Sequence, residues 1–167
     1  MNAADILKYG HLTVLEAIEG LPEADWETAG VCGVWSVKDI IAHLASFEYL
    51  LVDALNTLLA DGPAPMLEKY GAIGPEEFNN VEVAARQDKS VADTLAEYNE
   101  VQAQTMQLLD QIPVDARQQT GTLPWYGDEY ALDDLIVYSF YGHKREHSAQ
   151  INVFRDSLQS VKLKLAA

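Results

Sequence analysis

Apolar residues recur at helical spacing through four long stretches of this chain, and nowhere do apolar and polar residues alternate for more than a few positions. The pattern argues against strands and for amphipathic helices, each with a stripe that must find partners. The first stretch, roughly Ala3 to Gly20, repeats Leu7, His11, Val14 and Ile18 before Gly20 and Pro22 end it. The second opens at Ser36, with Asp39 placed three residues on as in a capping box. It carries Ile40, Leu44, Phe47, Leu51, Leu55 and Leu58 to a stop at Asp61-Gly62-Pro63. The third begins at Ser90, again with an acid at Asp93, and bears Val91, Leu95, Tyr98, Met106 and Leu109 toward Ile112-Pro113. The fourth runs from near Glu129 to near Gln159 on Leu132, Leu135, Ile136, Ser139, Phe140, His143, His147, Ile151 and Phe154. The expected fold is therefore all-α, a four-helix bundle with a long crossover between the second and third helices. That crossover, Asp61 to Lys89, holds three prolines and three glycines and is expected to be a loop with a short helix at Pro75 to Arg86. Its length suggests that it packs over one end of the bundle and edges the substrate entrance.

At 167 residues the chain is expected to form a single domain over 1–167. A domain of this size buries roughly 70% of its unfolded surface, so neither a disulfide nor a structural metal is needed to hold it, and a metal is free to be functional. A formal charge of -15 argues against nucleic acid as a partner, because duplex binding concentrates Lys and Arg on phosphates. The same charge argues against anionic membrane surfaces, and no run approaches the roughly 20 apolar residues of a spanning helix. The opening residues lack the basic and apolar regions of a signal peptide, and the lone cysteine, Cys32, has no internal partner. A cytoplasmic location is the expectation.

Three of the four histidines fall on stripes that otherwise read as core: His43 on the second helix, His143 and His147 on the fourth. The i, i+4 spacing of His143 and His147 sets their Cβ atoms about 6 Å apart on one face, close enough to share one ion. His43, three residues after Ile40 and four before Phe47, also faces inward, and bundle metal sites are built from facing helices in this way. Three neutral imidazoles suit zinc, nickel, iron or copper rather than magnesium or calcium, and leave positions for water and substrate. The competing reading of an H-x3-H pair is a satisfied core or surface feature. His143 to His147 also reads as H-x-x-E-H, the inverted zinc-peptidase pattern. In a helix Glu146 lies about 60° from His143 and 100° from His147, but it sits with Lys144 and Arg145 on what reads as a solvated edge. A histidine is the better third ligand.

Gly33 to Leu44, GVWSVKDIIAHL, and Gly142 to Ile151, GHKREHSAQI, resemble the two signatures of the DinB/YfiT-like superfamily. The resemblance implies a four-helix bundle in up-down-down-up order, a metal held by His43, His143 and His147, and frequently a homodimer. Among characterised relatives are S-transferases and isomerases that use low-molecular-weight thiols, namely bacillithiol, mycothiol or glutathione, and metal-dependent hydrolases. The resemblance therefore implies a divalent transition metal, zinc or nickel first, without fixing the reaction, and a thiol-dependent S-transferase acting on a small-molecule electrophile is the leading expectation. The alternatives are a hydrolase of the same fold and a non-catalytic metal-binding bundle. No basic cluster for a thiol's carboxylates is evident in the sequence.

His11 turns toward the core as a fourth ligand, a partner for another imidazole, or a half-buried helix-end residue. Cys32 lacks an adjacent base and reads as a small filler. Trp35, Trp125 and Tyr126 precede the second and fourth helices and either line a pocket mouth or anchor their loops. Glu48, Tyr141 and Gln150 could work near the expected metal, but sequence does not orient them. No catalytic residue and no thiol-binding residue is assigned.

Overall fold

Residues 2–60 and 62–165 are described by the structure, a computed structural model, with side chains described through residue 160. Asp61, the first residue of the expected second stop, lies outside the described residues. Helix α1 is Ala3–Ile18, capped by Asn2, whose Oδ1 accepts from Ala4 N at 3.1 Å. Helix α2, Val37–Ala60, opens with the expected box: Asp39 Oδ2 accepts from Ser36 N at 2.9 Å, and Ser36 Oγ accepts from Asp39 N at 3.2 Å. Two orphan donors at the helix start are satisfied reciprocally.

The crossover departs from expectation. Most of it is helix α3, Pro65–Ala84, interrupted at Gly74. Gly74 takes φ 77°, a conformation that favours glycine, and Pro75 restarts the helix, so the expected second half is present. The unexpected first half, before Gly74, depends on α2. Asp53 Oδ2 accepts from Met66 N at 2.6 Å and from Leu67 N at 3.2 Å, a cap supplied from a distant stretch of chain. Pro65 sits at the helix start, where its missing N–H costs nothing. Arg86 then ties the end of α3 to the next helix, bridging Glu82 Oε2 at 2.7 Å and Glu97 Oε1 at 3.0 Å.

Helix α4, Val91–Asp110, starts as expected at Ser90, whose Oγ accepts from Asp93 N at 3.0 Å. A short α5, Val114–Arg117, follows. The last long element begins at α6, Leu132–Leu135, where Asp134 Oδ2 accepts from Ala131 N at 2.9 Å. It continues through a π-helical segment, Ile136–Tyr141, into α7, Gly142–Leu165. The element thus starts slightly later than Glu129 and extends past Gln159. Such wide turns recur at functional sites, and this one ends two residues before His143.

Helix α1 packs on α7 and the π-helical segment, α2 on α4, and α3 on α2, with no strand among the described residues. Gly10 lets α1 pack tightly on the last element: a Cβ there would lie 3.1 Å from Tyr141 of the π-helical segment and 3.2 Å from Lys144 of α7. The apolar core forms two layers. One gathers Val14, Ile40, Ile41, Leu44, Val101 and Ile151, and the other Leu7, Leu51, Leu55, Leu109, Leu132 and Ile136. Between these stretches of each helix lies a buried polar belt. The Lys144 ammonium pairs with the Glu48 carboxylate and donates to Gln102 Oε1 at 2.5 Å, while Thr105 Oγ1 donates to Glu48 Oε2 at 2.9 Å.

Lys144 departs from the expected solvated edge of residues 144–146, whereas Arg145 and Glu146 are exposed as expected. Successive helical residues are about 100° apart, so Lys144 lies between the directions of His143 and Ser148 and close to that of Ile151. It occupies the middle of the buried face, and its side chain is only 2% exposed. Removing one member of a buried ion pair strands the other. Glu48→Gln and Lys144→Met should each destabilise the metal-free protein by about 3–5 kcal/mol in urea unfolding, and the paired apolar replacement Glu48→Leu with Lys144→Met should recover most of that loss. Single variants within about 0.5 kcal/mol of wild type would contradict this account of the belt.

Candidate metal centre

The structure brings together the three histidines that the sequence singled out. His143 Nε2 lies 2.8 Å from His43 Nε2 and 3.0 Å from His147 Nε2, and one donor atom from each ring falls within 4.8 Å of the others. Helix α2 supplies one ring and α7 two, one turn apart. His147 Nδ1 is 2.8 Å from Gln150 Oε1. An amide oxygen only accepts, so the His147 proton sits on Nδ1 and its Nε2 presents a lone pair to His143.

That tautomer carries a consequence for the cluster. A proton on His143 Nε2 can be donated to only one of its two neighbours and leaves the other contact without a hydrogen bond, and without that proton its lone pair faces the lone pair of His147 Nε2. A single cation among the three nitrogens satisfies all of them at once. Three neutral imidazoles converging through Nε2, one oriented by an amide through its other nitrogen, fit a borderline divalent metal. His43 Nδ1 is buried and has no partner among the described residues.

Electrostatics keep the rings in the donating form. Burial, followed by the neighbouring His143 and His147, pushes His43 down from 6.5 to about 2. Burial, followed by His147 and Lys144, takes His143 to about 3. Burial also lowers His147, opposed by its bond to Gln150 and by the charge of Glu146.

Aromatic rings wall the cluster. Phe47, one turn beyond His43, lies 4.7 Å from the His43 ring centre and 4.5 Å from that of His143. Trp35, in the loop before α2, lies 4.8 Å from His43 and 6.4 Å from His147. Phe47 in turn meets Tyr70 and Phe78 of α3 edge-on, at 6.2 and 6.1 Å. Tyr70 lies in the first half of α3, which sequence does not mark as helix because its start depends on the remote Asp53 cap, and Phe78 lies in the expected second half.

The other candidates fall elsewhere. His11 stands apart from the cluster, half-buried with its ring 4.8 Å from Tyr98, and burial with nearby Lys144 lowers it to about 4. Glu48 belongs to the polar belt. Glu146 is exposed and outside the cluster, so the general base of the inverted peptidase pattern is not in place. Cys32 is half-buried against the core, hydrogen-bonded through its backbone with Trp35. Trp125 and Tyr126 line a cavity beyond Phe47.

Lowered histidines set the sign of a pH effect. Below pH 6.5 the unfolded chain takes up protons that the folded cluster refuses, so their contribution to stability falls as pH drops from about 6.5 toward the folded values. Between pH 7 and pH 5 the metal-free wild type should lose more stability than His43→Gln, which has one fewer such ring. Equal losses in urea unfolding of the two proteins at those pH values would count against it.

The model of the DinB superfamily matches residues 11–151, a span that contains all three clustered histidines. No curated protein matches the chain, and no solved structure does.

Proposed function

We propose that this chain, which belongs to the DinB superfamily, is a metal-dependent enzyme, and that His43, His143 and His147 hold a divalent transition metal, zinc or nickel, for thiol S-transfer to a small electrophile. The observation that carries the reading is the convergence of three imidazole Nε2 atoms on one point, with the proton of His147 held away from it by Gln150. Three neutral donors leave a divalent ion its full positive charge, which favours the thiolate of a bound thiol at neutral pH.

The chain's own side chains supply orientation and shielding. Gln150 fixes the ring and tautomer of His147, and Lys144, one residue from His143, ties that turn of α7 to Glu48 of α2. Phe47 and Trp35 cover the cluster with apolar surface, which lowers the local dielectric and strengthens charge interactions there. His143 is less buried than His43 and His147, which makes its side of the cluster the approach for a ligand from solution.

The test loads chelator-treated, untagged protein with zinc or nickel and follows thiol consumption with bacillithiol, mycothiol and glutathione against a generic electrophile. Conjugation should require both protein and metal. His143→Ala and His147→Ala should abolish it while keeping helical content, and Gln150→Leu should weaken metal affinity by about 10–100-fold. A loaded wild-type protein that is no faster than metal alone with all three thiols would remove the S-transferase reading. Turnover of an activated ester without thiol would assign the hydrolase instead.

A further inference from the structure

A cavity of about 230 Å³ opens between α2, α3, the Trp125–Tyr126 turn and the π-helical segment. Nine side chains line it, including Phe47, Leu67, Tyr70, Trp125, Tyr126 and Ser139, and none is charged. Phe47 is shared: its ring lines the cavity and packs on His43 and His143. Ser139, four residues before His143 on the same element, places its hydroxyl 3.5 Å from that of Tyr126. Trp125 is 54% exposed and stands at the mouth.

We propose that this cavity is the substrate pocket of the histidine site, and that it takes the uncharged apolar or aromatic part of the substrate. The inference rests on the reading above only in assigning the ligand as substrate. Apolar cavities of about 150 Å³ accept benzene, so this one has room for a substituted ring. Its aromatic walls offer edge-to-face contacts to such a ring, and the hydroxyls of Ser139 and Tyr126 can meet one polar substituent. A charged group would shed its hydration with no opposite charge on the walls to replace it, and the net charge of -15 further disfavours an anion.

The test measures binding of benzyl alcohol, benzoate and benzylammonium to metal-free protein by calorimetry at physiological ionic strength. These share a ring and differ in charge. The alcohol should bind at least about tenfold more tightly than either ion, a difference of about 1.4 kcal/mol. Leu67→Trp, which fills the cavity from α3, should weaken the alcohol by at least about tenfold, and Ser139→Leu replaces it if that variant does not fold. Absent binding of the alcohol, equal binding of the three ligands, or binding of the alcohol untouched by the filled variant overturns the proposal. Because the protein carries no metal in this assay, failure of the pocket and failure of the metal reading are separate results.

Discussion

Lys144 enters the core as a cation, and a cation taken out of water must meet an opposite charge. Glu48 of α2 meets it, with Gln102 and Thr105 of α4 completing the belt. One turn of α7 is thereby fixed against two other helices. His143 precedes Lys144 and His147 follows it by three, so the same turn that buries the charge carries two of the clustered imidazoles. His43 lies five residues before Glu48 on the facing helix. The pair thus sets the register in which the three Nε2 atoms meet.

The two flanks of that turn have opposite electrostatic requirements. On the Lys144 side, charge is present and compensated. On the His143 side, burial and mutual proximity keep the imidazoles neutral, and Lys144 itself helps to hold His143 unprotonated. Neutral nitrogens facing one another at 2.8 and 3.0 Å are one cation short of a satisfied arrangement. Shielding comes from α3, whose Tyr70 and Phe78 back Phe47. That helix is in turn begun by Asp53 and tied down by Arg86.

Much of this was legible in the sequence because it depends on local spacing. Helical periodicity located the long helices other than α3, Ser36/Asp39 and Ser90/Asp93 marked two helix starts, and the i, i+4 pair with His43 marked the cluster. What stayed hidden depends on contacts between distant residues. The first half of α3 takes its cap from α2. The role of Lys144 was masked by residue type, since a lysine reads as solvated until Glu48 is seen opposite it, although its helical angle already placed it on the buried face. The π-helical turn before His143 leaves no periodic mark of its own in so short a segment.

The central claim is that His43, His143 and His147 together hold one metal ion, and zinc-edge X-ray absorption on protein loaded with zinc at neutral pH tests it most directly. The account predicts one zinc per chain with three imidazole nitrogens at about 2.0–2.1 Å, and loss of that signature when any of the three histidines is replaced by alanine. A well-folded protein that takes up no zinc, or one whose zinc is surrounded by carboxylate oxygens and keeps that signature after the histidines are replaced, would contradict it.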